Sequence, residues 1–132
     1  MRYLAIDHIA LNVADVERAL AFYHEALGLG VERYAEYRAG QVGFPSVRVT
    51  AQTVIDLMPG GPVTQAGRHP LNHFALTLAA SDDLAALRAQ LVQHEVEIVE
   101  EAKPRWGAQG GEPSMKLRDP DGNIVELKAP PA

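Results

Sequence analysis

The sequence contains no cysteine, no long apolar run and no excess of positive charge. Without cysteine, disulfides, thiolate catalysis and thiolate metal ligands are excluded, so nitrogen and oxygen must hold any metal ion. The same absence favours a cytoplasmic location. No apolar segment approaches the roughly 20 residues that span a membrane, and the first residues lack the pattern of a signal peptide, so we expect no membrane partner. The formal net charge of −5 argues against nucleic acid as a partner.

What the sequence does contain is a repeat. Residues 6–13 read IDHIALNV and residues 71–78 read LNHFALTL, so that His8 recurs as His73. Each copy alternates like a strand and is followed by a segment with helical spacing of apolar residues. At 132 residues the chain has the size of one domain, long enough to bury a core.

Each half also closes on an acidic residue within an apolar strand. These residues are Asp56 in VIDLMP and Glu126 in IVELKA. Together with His8 and His73 they could place four metal-ligand side chains around one pseudo-twofold axis. Two histidines with carboxylates form a typical site for first-row divalent metals. The alternative is that both histidines are ordinary polar residues on half-exposed strands.

The pattern predicts an α+β fold in which a βαβββ unit occurs twice. The whole chain, residues 1–132, is then one domain made of modules 4–59 and 71–128, joined by a turn-rich linker at 60–70. Predicted strands cover residues 4–13, 31–38, 43–51, 53–58, 71–79, 96–102, 114–119 and 124–128. Predicted helices cover 15–28 and 81–95, and residues 103–113 are expected to form a long irregular loop.

Strand alternation predicts which residues face away from the helices. Asp56 and Glu126 share that side of their sheets with the alternate residues of the two first strands. The side is lined by small or polar residues, as expected of a cup: His8, Ala10 and Asn12 in one half, and His73, Ala75 and Thr77 in the other.

The segments 6–29, 69–78 and 117–127 resemble the vicinal oxygen chelate superfamily, which includes glyoxalase I, methylmalonyl-CoA epimerase, fosfomycin-resistance thiol transferases, extradiol dioxygenases and bleomycin-binding proteins. The resemblance covers nearly the whole chain and is specific for the superfamily rather than for one activity. It implies a glyoxalase-like fold whose curved mixed sheets enclose a cleft. It also implies a homodimer, within which the modules can pair in one chain or swap between chains.

The resemblance further implies one divalent metal ion per site, of nickel, zinc, cobalt, manganese or iron. His8, His73 and Glu126 match ligand positions of the superfamily. Asp56 lies where other members carry a glutamate or a glutamine. Since aspartate is one methylene shorter, it could bind the metal directly, bind through water, act as a base, or simply be solvated.

The Gly-rich segment after residue 103 is the loop of this chain that most strongly suggests a role in substrate binding. Arg105 could hold a carboxylate or phosphate, and Trp106, the only tryptophan, could cover a substrate. The alternative is a surface loop with the indole packed on the domain. With Asn12 and Thr77 on the cup side of the strands, these residues form the predicted substrate pocket.

The expected function is lyase or isomerase chemistry on a small substrate that binds the metal through two neighbouring oxygens. Glu126 or Asp56 would move the proton while the metal stabilises an enediolate. An extradiol-type dioxygenase using His8, His73 and Glu126 is the first alternative. A thiol transferase and a non-catalytic small-molecule binding protein are the others. Neither a glutathione site nor a potassium-binding loop is visible in the sequence.

Overall fold

The computed structural model describes residues 1–63, 71–79 and 82–131. The chain divides into two compact units, Met1–Thr64 and Gln65–Ala132, each built on one four-stranded mixed sheet. The α+β class is therefore confirmed. The exact module bounds remain a prediction, and linker residues 64–70 lie outside the described residues. Within the described ranges, no helix has the length and apolar character needed to cross a membrane.

The first unit begins with an edge strand and a capped helix. Its elements are β1 (His8–Val13), α1 (Val16–Leu20) continuing as a π-helical segment (Ala21–Ala26), β2 (Gly30–Glu32), α2 (Tyr34–Arg38), β3 (Ser46–Arg48) and β4 (Val54–Pro59). The strand order is β1-β4-β3-β2, with β1 and β4 parallel and the other pairs antiparallel. The Asp15 carboxylate caps α1 by accepting from the backbone N–H of Arg18 at 3.1 Å.

The second unit repeats this order. Its elements are β5 (Phe74–Thr77), α3 (Leu84–Gln93), β6 (Glu97–Pro104), β7 (Pro113–Arg118) and β8 (Ile124–Lys128). The strand order is β5-β8-β7-β6, again with the first and last strands parallel and adjacent. The Asp83 carboxylate caps α3 by accepting from the backbone N–H of Ala85 at 3.0 Å.

The predicted alternation of strand faces is seen in the burial of β1 and β4. Leu11, Val13, Ile55 and Leu57 are buried, whereas His8 and Asn12 are exposed. The buried side packs on α1 through β4, and Tyr23 of the π-helical segment is fully buried with it. Burial of each of these apolar side chains contributes roughly 1.5–3 kcal/mol to the stability of the fold. His8 and Asp56 therefore lie on the opposite side of the sheet.

The predicted strand at residues 31–38 is wrong beyond Glu32. Arg33 adopts a left-handed conformation with φ 61°, which ends β2. The following residues, YAEYR, then form the short helix α2, and the hydroxyl of Tyr34 donates to Glu17 of α1. Tyr34 and Tyr37, the half-buried residues of α2, are three positions apart, as on one face of a helix, but α2 is too short to show a repeating period in the sequence.

The predicted irregular loop at 103–113 is also shorter than expected. Strand β6 runs to Pro104 and pairs there with Pro113 of β7, so only the residues between them form the hairpin tip. Within this tip Gly107 and Gly110 exchange backbone hydrogen bonds. At the other end of β7 the Asp119 carboxylate accepts from the backbone N–H groups of Asp121 and Asn123. The hairpin tip thus joins β6 to β7, and the turn at Asp119 joins β7 to β8, the strand that carries Glu126.

Candidate metal centre

In the second half, the structure brings His73 and Glu126 into direct contact. His73 immediately precedes β5, and Glu126 lies opposite Ala75 in the parallel pairing of β5 and β8. The His73 Nε2 and Glu126 Oε2 atoms are 3.1 Å apart. The His73 side chain is 34% exposed and that of Glu126 only 6%, so the pair opens to one side of its sheet.

The geometry of this pair fits a shared metal ion. Nitrogen and oxygen ligands bind first-row metals at about 2.0–2.2 Å, which places neighbouring ligand atoms about 3 Å apart. The observed 3.1 Å between His73 Nε2 and Glu126 Oε2 matches that spacing. Both atoms are of the types that such metals prefer.

Neighbouring side chains hold each member of the pair in place. The Nδ1 of His73 lies 2.6 Å from the Asn72 Oδ1, and an Nδ1–H donated to that oxygen directs the ring. The hydroxyl of Ser114 on β7, a fully buried residue, donates to Glu126 Oε1. The second carboxylate oxygen, Oε2, is the one that faces His73.

The first half repeats the arrangement around His8 and Asp56. The Nδ1 of His8 lies 2.8 Å from Asp7 Oδ2, and the Ser46 hydroxyl donates to Asp56 Oδ1 at 2.6 Å. The hydrogen bond to Asp7, and next the negative charge of Asp56, raise the pKa of His8. Asp56 therefore lies close enough to act on the imidazole electrostatically. This half is more open, because the His8 side chain is 53% exposed.

Sequence reasoning missed four residues of this arrangement. Asp7 and Asn72 occupy equivalent positions in the repeat, immediately before each histidine, so comparison of the two copies could have identified them. Ser46 and Ser114 carried no such signal. Ser46 lies directly opposite Asp56, whereas Ser114 lies opposite Lys128, two positions along from Glu126.

The second half thus brings His73 and Glu126 into contact, and the first half places Asp56 where its charge acts on His8. Among the described residues of either half, no group of three or more histidine or acidic side chains has metal-binding geometry. Convergence of all four predicted ligands on one ion remains a prediction.

The predicted pocket residue Arg105 is held against the second sheet by hydrogen bonds of its side chain. Its guanidinium donates to the Glu100 carboxylate at 2.6 Å and to the backbone oxygen of Ser114, the residue that holds Glu126. Lys116 lies 3.4 Å from the other oxygen of Glu100. The Arg105 hydrogen bond, followed by that of Lys116, lowers the pKa of Glu100 to about 2. Trp106, next in the chain, is 88% exposed.

The two other predicted pocket residues line separate cavities. Thr77 lines a cavity of about 450 Å³ in the second half, together with Gln109, Glu112 and Lys128. Asn12 lines a smaller one of about 200 Å³ in the first half, beside Gly60. Their roles in substrate binding remain predictions.

The low pKa of Glu100 makes a testable contribution to stability. Because its folded pKa is about 2 against an ordinary 4.5, ionised Glu100 stabilises the fold above pH 4.5, and this contribution is lost as pH falls toward 2. We expect Glu100→Gln to be less stable than wild type at neutral pH, with the difference shrinking in acid. Urea unfolding at several pH values measures it. Glu97→Gln, which removes a more exposed ion pair with Arg118, is the control, and a pH-independent difference for Glu100→Gln contradicts the prediction.

Comparison with known proteins agrees with this architecture. Residues 5–127 match the model of the Glyoxalase/Bleomycin resistance protein/Dioxygenase superfamily. The chain is 31% identical over 126 residues to uncharacterized protein PA2024 of Pseudomonas aeruginosa, covering 92% of this chain and 86% of that one. It is 28% identical over 123 residues to virulence protein STM3117 of Salmonella typhimurium, covering 92% and 81%.

Solved structures show the same fold. The crystal structure of STM3117 aligns with a TM-score of 0.72 at 28% identity, covering 98% of each chain. A glyoxalase/dioxygenase from Nostoc punctiforme aligns with a TM-score of 0.76 at 20% identity, covering 97% of this chain and 92% of that one. Two four-stranded sheets with parallel first and last strands thus define a glyoxalase-like protein. The chain belongs to the Glyoxalase/Bleomycin resistance protein/Dioxygenase superfamily.

Proposed function

We propose that this chain is a divalent-metal-dependent enzyme with lyase or isomerase chemistry on a small substrate chelated through two neighbouring oxygens. The contact of His73 Nε2 with Glu126 Oε2 at 3.1 Å carries the proposal. It is supported by the hydrogen bonds from Ser114 to Glu126 and between His73 and Asn72, because metal ligands are commonly oriented by such partners.

We assign His8, His73, Glu126 and Asp56 as the residues that would hold one metal ion. Such an ion would supply Lewis-acid stabilisation of negative charge on the substrate oxygens. Histidine and carboxylate ligands accept nickel, zinc, cobalt, manganese or iron, so the residue types leave its identity open. In this proposal the protein acts as a homodimer in the cytoplasm, as inferred from the superfamily and from the absence of cysteine.

The carboxylates would also move the substrate proton. Glu126 and Asp56 each have one oxygen that accepts a serine hydroxyl, and the other oxygen, once released from the metal ion, would take or return a proton. Asp56 is the more accessible of the two, being half-buried where Glu126 is buried. We therefore assign Asp56 the exchange of protons with solvent and Glu126 the transfer closest to the substrate.

Metal content tests the proposal. Elemental analysis of protein purified without a chelator or an affinity tag is expected to give about one first-row metal ion per site. His8→Ala and His73→Ala are expected to lose it, whereas His94→Ala, at the exposed end of α3, retains it. Nickel, zinc or cobalt supports lyase or isomerase chemistry, and iron supports a dioxygenase. A protein that neither contains nor takes up metal refutes the enzyme proposal in favour of a small-molecule binding protein.

A further inference from the structure

The cavity of about 450 Å³ lies on the same side of the second sheet as the candidate metal centre. Thr77 and Lys128, which line it, pair with each other in β5 and β8. They stand two residues beyond Ala75 and Glu126, a separation of about 7 Å along the strands. The cavity is thus within reach of the far end of a small molecule whose near end meets Glu126.

Lys128 brings a buried positive charge to this cavity. The residue is only 7% exposed, and its Nζ donates to the backbone oxygens of Arg105 at 2.5 Å and Glu112 at 2.8 Å. An ammonium has three N–H donors, so one remains after these two bonds. Both acceptors are neutral carbonyls, and no described acidic side chain forms an ion pair with Lys128. A buried charge without a counter-ion is costly, and an anion in the cavity would relieve that cost.

We infer that this cavity binds a carboxylate group of the substrate, with the Lys128 ammonium as its partner. Because Glu112 also lines the cavity and adds a negative charge, a singly charged carboxylate fits better than a doubly charged phosphate. Building on the proposed function, this inference makes the substrate a small organic acid. Its carboxylate lies several bonds from the two oxygens that chelate the metal.

A substitution at Gly107 would displace the Lys128 ammonium without removing it. A Cβ built at Gly107 would lie 2.7 Å from Lys128 Cε and 3.2 Å from Cδ, so the flexible end of the lysine must shift. A Cβ at Gly111, in the same hairpin tip, meets nothing within 4 Å. Gly107→Ala and Gly111→Ala are therefore matched variants that differ in their effect on Lys128.

Binding to metal-free protein tests the inference independently of the metal site. The probes are butyrate, neutral butyramide and inorganic phosphate, followed through the backbone amide signals of Thr77, Gln109 and Ala129 by NMR. Butyrate is expected to shift these signals with saturation, phosphate to bind more weakly, and butyramide to have no effect. Stronger binding of phosphate than of butyrate overturns the assignment of a carboxylate.

The variants then assign the effect to Lys128. Lys128→Met is expected to weaken butyrate binding about tenfold, the effect of losing one charged hydrogen bond. Gly107→Ala keeps the lysine and the fold, and it is expected to weaken butyrate binding by at least about threefold. Gly111→Ala and Lys103→Met, which removes an exposed lysine, should bind as wild type. Butyrate binding that is unchanged in Gly107→Ala and Lys128→Met, or absent from wild type, overturns the inference.

Discussion

Replacing Glu126 with glutamine is expected to abolish metal binding while leaving the fold intact. Glutamine keeps the shape of the side chain and can still accept the Ser114 hydroxyl, so the metal-free protein loses little. It removes the negative charge that faces His73 Nε2 at 3.1 Å. Loss of partners that merely orient a ligand costs roughly 10- to 100-fold in metal affinity. Loss of the ligand charge itself should therefore exceed about 100-fold.

The measurement is the metal-induced rise in thermal stability. A metal that binds only the folded protein raises the unfolding temperature with increasing concentration. Wild type is expected to show this rise with zinc or nickel, and Glu126→Gln to lose it while keeping its unfolding temperature in chelator. Glu97→Gln, an exposed carboxylate on β6, is the control. An undiminished rise in Glu126→Gln would show that this carboxylate is no metal ligand.

Ser114→Ala is expected to weaken metal binding by roughly 10- to 100-fold. Removal of the hydroxyl leaves Glu126 Oε1 without its donor in a buried position, and the carboxylate can rotate away from His73. The corresponding change in the first half, Ser46→Ala, should have a smaller effect because Asp56 is half-buried and water can replace the hydroxyl.

Metal titration of the metal-free variants by calorimetry measures both effects. Ser114→Thr retains the hydroxyl and is expected to recover most of the affinity lost in Ser114→Ala. Equal affinities for wild type and Ser114→Ala would mean that Glu126 needs no orienting donor. A loss that Ser114→Thr does not recover would instead indicate a packing defect at this buried position.

The parts of the fold that were predictable are those in which strand alternation extends over several residues. The alternation in β1 and β4 correctly predicted the buried side and the side of His8 and Asp56. The strand prediction failed after β2 because the five-residue helix α2 is too short to show a helical period in the sequence. The turn of the chain at Arg33 depends on a positive φ that arginine does not signal.

The site was predictable only where the repeat or the residue chemistry marked it. The repeat predicted His73 and Glu126 as two of four metal ligands, and the structure brings these two side chains into contact, while their role as ligands stays a prediction. Ser114 reaches Glu126 from two positions along the neighbouring strand, a relation set by register rather than by spacing in the sequence. Arg105 was predicted to hold a carboxylate or phosphate of a substrate, but in the structure its guanidinium donates to Glu100 and to the Ser114 backbone oxygen.

The strand orders also bear on how long a metal ion would stay bound. The carboxylates lie on β4 and β8, each flanked by two strands, whereas the histidines lie on or beside the edge strands β1 and β5. Edge strands open locally at lower cost than central ones. Fraying of β1 and β5 would withdraw the imidazoles while the carboxylates stay in place, and would thereby set the residence time of the ion. Metal binding should then slow amide exchange in β1 and β5 more than in β4 and β8, and equal slowing would contradict this.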